Sequence, residues 1–210
     1  MSDKSSTLLI SLLTIVVALS LSISSINAVI VNNTDFSIEV PNGWVYREDF
    51  FFDNGTLLTP NEFADVLITD NVSAILDVLE EGVMVELAPD PRFPIKNAPV
   101  EIYAKHSSKF FNNLSPTFEN ATIGGERAIK LFLNSTDIAS KLGKTNVPVS
   151  LVTTSYYVMH NDQPYFLNYM ANAKYYQKYL PQFEQIVTSL KFEKWTEAIT
   201  KKDTRQCKTR

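Results

Sequence analysis

The chain has 210 residues and carries 19 basic and 23 acidic side chains, a formal net charge of −4. After the N-terminus is set aside, enough residues remain for one domain with a proper core. The charge balance excludes a basic nucleic-acid face, and the single cysteine, Cys207, excludes an internal disulfide, so packing alone holds the fold.

Residues Thr7–Ile23 form an apolar run, and Lys4 is the only basic residue ahead of it. This is the layout of a secretory signal, with Ala28 as a candidate residue before a cleavage site. No charge lies between Lys4 and Asp35, so the segment also suffices as a retained membrane anchor. Either way, residues 1–34 are expected to be a delivery segment with a short linker. The body of the chain is then extracytoplasmic, secreted or held at the outer face of the cytoplasmic membrane. The sequon N-x-S/T supports the same location. It occurs at Asn32, Asn54, Asn71, Asn113, Asn120 and Asn134, each without an intervening proline, and implies surface glycans.

The first strand is expected at Phe36–Val40, where apolar and polar residues alternate. Pro41 and Asn42-Gly43 turn the chain into a paired second strand, Trp44–Phe52, with Trp44 as a core anchor. Phe63–Thr69 reads as a strand, Val72–Leu79 as a short helix and Val83–Leu87 as a strand. Four prolines between Pro89 and Pro99 mark a loop. Val100–Asn112 then shows helical spacing at Ile102, Tyr103, His106, Phe110 and Phe111. Phe118–Ile123 and Ala128–Leu133 flank Gly124-Gly125 as a hairpin. Val149–Met159 and Pro164–Ala171 form a second strand pair, turning at His160–Gln163. Tyr176, Tyr179, Phe183, Ile186 and Leu190 lie on one helical stripe, with the regular helix expected to begin at Pro181. The pattern predicts an α+β fold with a mostly antiparallel sheet, spanning residues 35–193. Residues 194–210 form a basic tail, with five basic side chains and one acidic between Thr200 and Arg210.

FSIEVPNGW at the start, a Gly-Gly hairpin ending in ERAIKLFL, a tyrosine-rich strand pair and the closing FEQIVTSLKFE resemble the PsbP-like family. The resemblance covers about Phe36–Glu193. It implies an antiparallel sheet sandwiched by α-helices, an α/β/α arrangement. Members include an extrinsic subunit of the oxygen-evolving photosystem, a nuclear Ran-binding relative and exported proteins of unassigned role. The implied role is a non-enzymatic accessory that binds another protein. The chain departs from the photosynthetic members in having no corresponding binding segment ahead of Phe36. Its sequons and simple export signal look more like an archaeal cell-surface protein.

No nucleophile elbow, phosphate loop, dinucleotide fingerprint or metalloprotease motif occurs, and no cofactor is expected. His160 and Asp162 share a turn and are the candidate metal ligands, two where a closed site wants about four. Glu80, Glu81, Glu86 and Asp90 form the densest acidic group, either a hard-cation site or a solvated edge. His106 is expected to be a packing or surface residue. Tyr165 and Tyr169 fall on one strand face, as a core under the last helix. The basic tail is a solvated end or a contact for an acidic partner. The function expected is an exported binding domain with a cell-surface or membrane-associated protein partner. The alternatives are a small-ligand or divalent-metal-binding domain and, third, a carboxylate-dependent hydrolase.

Overall fold

A computed structural model describes residues 29–48, 54–67, 82–93, 95, 97–111, 114–135 and 150–193. The delivery segment up to Ala28, the expected helix Val72–Leu79, Glu80, Glu81, Asn71, Asn113 and the basic tail lie outside them. Among the described residues, no helix is long and apolar enough to cross a membrane.

The strands are β1 (Val29–Asn32), β2 (Phe36–Val40), β3 (Trp44–Glu48), β4 (Thr56–Pro60), β5 (Val83–Pro89), β6 (Thr117–Ile123), β7 (Glu126–Ser135), β8 (Leu151–His160), β9 (Gln163–Asn172) and β10 (Lys191–Phe192). The α-helices are α1 (Val100–Ser107) and α2 (Ala173–Ser189). Seven strands form one sheet in the order β3-β4-β5-β9-β8-β7-β6, and three form a second in the order β1-β2-β10. Every pairing is antiparallel. The expected α+β architecture is therefore observed.

The large sheet has an apolar core on each face, as strand alternation requires. On one face Val83, Val85 and Leu87 of β5 and Leu167, Tyr169 and Ala171 of β9 pack under Tyr176, Tyr179, Phe183 and Ile186 of α2. On the other, Ala88, Phe166, Tyr157, Ile129 and Leu131 pack under Val100, Tyr103 and Ala104 of α1. The small sheet joins the α2 side through Phe36, Ile38 and Val40. Burying each such side chain contributes about 1.5–3 kcal/mol.

Several elements differ from expectation. The Pro41–Gly43 turn forms, with the Trp44 amide donating to the Pro41 carbonyl at 3.1 Å. Yet β2 and β3 do not pair. β2 lies between β1 and β10, while β3 opens the large sheet against β4. A turn signal specifies a local reversal, and the pairing partner is chosen by which edge remains open. β1 begins at Val29, inside the stretch read as linker. β4 was not foreseen, and Asn61–Leu67 is a kinked 3-10 segment where a strand was expected. Phe63 there packs edge-on against the rings of Tyr175 and Tyr179, so its apolar character serves one-sided packing. The first helix ends at Ser107 and a 3-10 turn, Ser108–Phe111, follows. Ile102 on it is 48% exposed. The last helix starts at Ala173, with Asn172 capping it by accepting from the Lys174 amide. Pro181 sits inside it. Proline there removes one backbone bond and crowds the preceding turn. Burial of Tyr176 and Tyr179 before it and Phe183 and Ile186 after it outweighs that cost. Tyr169 also donates its hydroxyl to the Tyr176 carbonyl, 2.7 Å away.

Candidate functional site

Three places among the described residues bear on the expected chemistry. The first is the β8–β9 turn. Asn161 and Asp162 both have positive φ, 48° and 63°, the backbone of a tight two-residue hairpin turn. His160 ends β8 in a buried position. Its Nδ1 lies 3.1 Å from Glu126 Oε1 and its Nε2 lies 3.1 Å from the Glu193 carbonyl. Asn161 Nδ2 is also 2.8 Å from Nε2. The ring stacks on Phe192 at 4.6 Å. Phe192 also lies against Gly124, where a Cβ would fall 2.6 Å from the ring. His160 thus helps hold β10, the strand of the small sheet that reaches the β6–β7 hairpin. Asp162 faces the side-chain amide of Asn97 instead. The structure does not bring His160 and Asp162 to a common point. Among the described residues, no group of three or more His, Cys, Asp or Glu is placed to hold a metal.

The second place is the α1 face of the large sheet. Glu86 and Asp90 are buried at 7% and 2% exposure, which corrects the reading of a solvated edge. β5 lies inside the sheet between β4 and β9, so its side chains are covered on both faces. Asp90 accepts from Arg92 Nε at 2.8 Å and from the Tyr103 hydroxyl at 3.2 Å. Arg92 lies over the Phe166 ring, 5.5 Å from its centre. Glu86 stands opposite Asn168, and Asn168 opposite Ser155, so three polar side chains cross three central strands in one row. Burial pushes the Glu86 carboxyl up to about 7, against the opposing pull of Arg92 and the Asn168 amide. Glu86 Oε1 and Asn168 Oδ1 have no partner among the described residues. The signal for this row was present in VMVELAP: a single charge within an otherwise apolar strand is a buried charge when both faces are covered.

The tyrosines of the last third form the third place, and they are core. Tyr169 stacks on Phe183 at 4.7 Å and on Tyr176 at 5.1 Å. Tyr165 and Tyr169 share the α2 face, as alternation requires. Burial raises the hydroxyl pKa values of Tyr165, Tyr169 and Tyr103 well above the usual range and pushes that of Tyr157 up to about 12. These hydroxyls stay protonated and serve as donors or acceptors within the fold. His106 is half-buried with its ring against Phe93 at 5.4 Å. Trp44 is buried edge-on to Tyr179.

The four sequon asparagines within the described residues, Asn32, Asn54, Asn120 and Asn134, are all exposed. Asn54 adopts φ of 61° in the turn before β4, a conformation asparagine tolerates.

No family model matches the chain, and no curated protein matches it in sequence. Solved structures do. Cyanobacterial PsbP from Synechocystis sp. PCC 6803 aligns over 82% of this chain and 96% of its own, at 10% identity and a TM-score of 0.48. The yeast Ran-binding protein Mog1p aligns over 79% and 95%, at 12% identity and a TM-score of 0.45. LpqN of Mycobacterium tuberculosis, a protein of cell envelope biogenesis, aligns over 80% and 91%, at 10% identity and a TM-score of 0.42. At these identities every functional residue has to be argued from this chain itself.

Proposed function

We propose that this chain is an exported PsbP-like domain that binds a protein at the cell surface or the membrane and catalyses no reaction. The observation that carries the location is the exposure of all four described sequon asparagines on a folded body. A glycan acceptor must be reachable from solvent, and these four are. The apolar run Thr7–Ile23 supplies the route and, where uncleaved, the tether. Binding is favoured over catalysis by the state of the core titratable groups. Asp90 is tied to Arg92 and Tyr103, and His160 to Glu126 and Glu193. Both are engaged in holding the fold, and Glu86, the carboxyl that burial raises, is enclosed within the sheet at 7% exposure.

Co-purification of the full chain from its native membranes tests this reading. A stoichiometric protein partner is expected, together with glycopeptides at the exposed sequons. Recovery of only the free chain, with every sequon bare, overturns it.

A further inference from the structure

Among the described residues, β6 is the terminal strand of the large sheet, paired on one side only, with β7. Its sequence, TFENATI, holds one charge and no proline, and its side chains are exposed from Thr117 to Asn120. An edge strand this long and this plain is a template for pairing with another chain, and folded proteins guard such edges.

The outward-facing backbone groups follow from the register. Gly124 and Gly125 have φ of 56° and 83°, a two-residue turn whose flanking pair, Ile123 and Glu126, exchanges hydrogen bonds. Pairing alternates from there. The backbone of Ile123, Ala121, Glu119 and Thr117 therefore faces β7, and that of Thr122, Asn120 and Phe118 faces outward. Asn120 is the central one of these three, and Asn120-Ala121-Thr122 is a sequon. Phe118, 47% exposed, and Phe132 of β7, 37% exposed, flank the edge. The register puts Phe118 beside Leu131 and Phe132 beside Thr117, on opposite faces of the sheet.

We propose that an N-glycan on Asn120 guards this edge, and that the bare edge pairs with β6 of a second copy of the chain. The self-pairing is antiparallel about a two-fold axis at Asn120. It joins Asn120 to Asn120, Phe118 to Thr122 and Glu119 to Ala121 of the other copy, so the outward backbone groups of both chains meet. No like charges are set opposite each other: the strand's only charge, Glu119, faces an alanine and has Lys130 beside it in its own sheet. A branched glycan on the central residue of each strand occupies the space the second chain needs. Asn32, on β1 at the edge of the small sheet, follows the same pattern.

This inference rests on the exported, glycosylated reading, and its test separates the two. The full chain is produced in a glycosylating host, and its site occupancy is read by glycopeptide mass spectrometry and its mass by light scattering. Wild type is expected to be occupied at Asn120 and monomeric. Asn120→Gln and Thr122→Ala, which remove the sequon in two different ways, are expected to double the solution mass at tens of micromolar. Asn120→Lys removes the glycan but sets two lysines face to face across the two-fold axis, and is expected to stay monomeric. A monomeric Asn120→Gln and Thr122→Ala, or a bare and monomeric wild type, overturns the guard. If Asn120 alone is bare while other sequons are occupied, the guard fails and the exported reading stands. If every sequon is bare, both fall.

Discussion

The two faces of the seven-stranded sheet are built differently. The α2 face is closed by rings: Tyr169, Tyr176 and Phe183 stack, and Trp44 meets Tyr179 edge-on. Among its polar atoms Thr154 meets Tyr176 at 2.7 Å and Tyr169 donates to the Tyr176 carbonyl, while the buried Thr56 hydroxyl has no partner among the described residues. The α1 face has a smaller apolar core and, beside it, the polar row of buried Glu86, half-buried Asn168 and buried Ser155. Ring packing gains from every buried atom. A buried carboxyl gains only when it is neutral or fully bonded. The ring stack under α2 therefore contains no carboxyl that burial raises toward neutral pH, and the second face does.

The largest test breaks the first face. Phe183→Ala removes the ring between Tyr169 and Tyr156 and should cost about 3–5 kcal/mol. Denaturant unfolding measures it, and a loss under about 1 kcal/mol would take Phe183 out of the core.

The second test sharpens the contrast. Burial pushes the Glu86 carboxyl from its ordinary 4.5 up to about 7 in the folded chain. At pH 4 it is protonated in both states and imposes no penalty. Between about 4.5 and 7 the unfolded chain releases the proton while the folded chain keeps it, so stability falls by about 1.4 kcal/mol per pH unit. Above 7 the loss levels off. Glu86→Gln should therefore stabilise the protein by up to about 3 kcal/mol at pH 8 and by almost nothing at pH 4. Melting curves at the two pH values check this, and an equal shift at both would show that the carboxyl does not titrate in this window.

The third test lies where the two sheets meet. Gly124→Ala drives a Cβ to 2.6 Å from Phe192 at a φ of 56°, and should cost about 1–3 kcal/mol. Faster hydrogen exchange in β10 should accompany it. Gly125→Ala has the same kind of backbone, φ 83°, but open space around it. It should cost only the left-handed penalty, about 1 kcal/mol, and leave β10 unchanged. Equal effects from the two would show that Phe192 does not depend on Gly124.

Much of this was legible beforehand where one pattern meets one physical demand. Alternation in Phe36–Val40 marks a strand with a buried face, and Phe36, Ile38 and Val40 are that face. The Gly-Gly pair marks a hairpin because two successive positive φ angles suit glycine. The stripe from Tyr176 to Ile186 marks a helix with one apolar side. Asn61–Leu67 was not legible, because a short apolar run fits a strand and a tight helical turn alike. Nor was the candidate site. His160 and Asp162 are near in sequence, but the turn between them sends one to Glu126 and the other to Asn97.

The sequence by itself determined the class of fold, the hairpins β6–β7 and β8–β9 and the residues of the main apolar stripes. Those depend on contacts within a few residues or on a repeating period. Only the tertiary structure decided that β2 leaves β3 to lie between β1 and β10, that Glu86 and Asp90 are buried, and that the helix runs on through Pro181. Each of these turns on what lies across the sheet, many residues away along the chain, where no local preference of the backbone can reach.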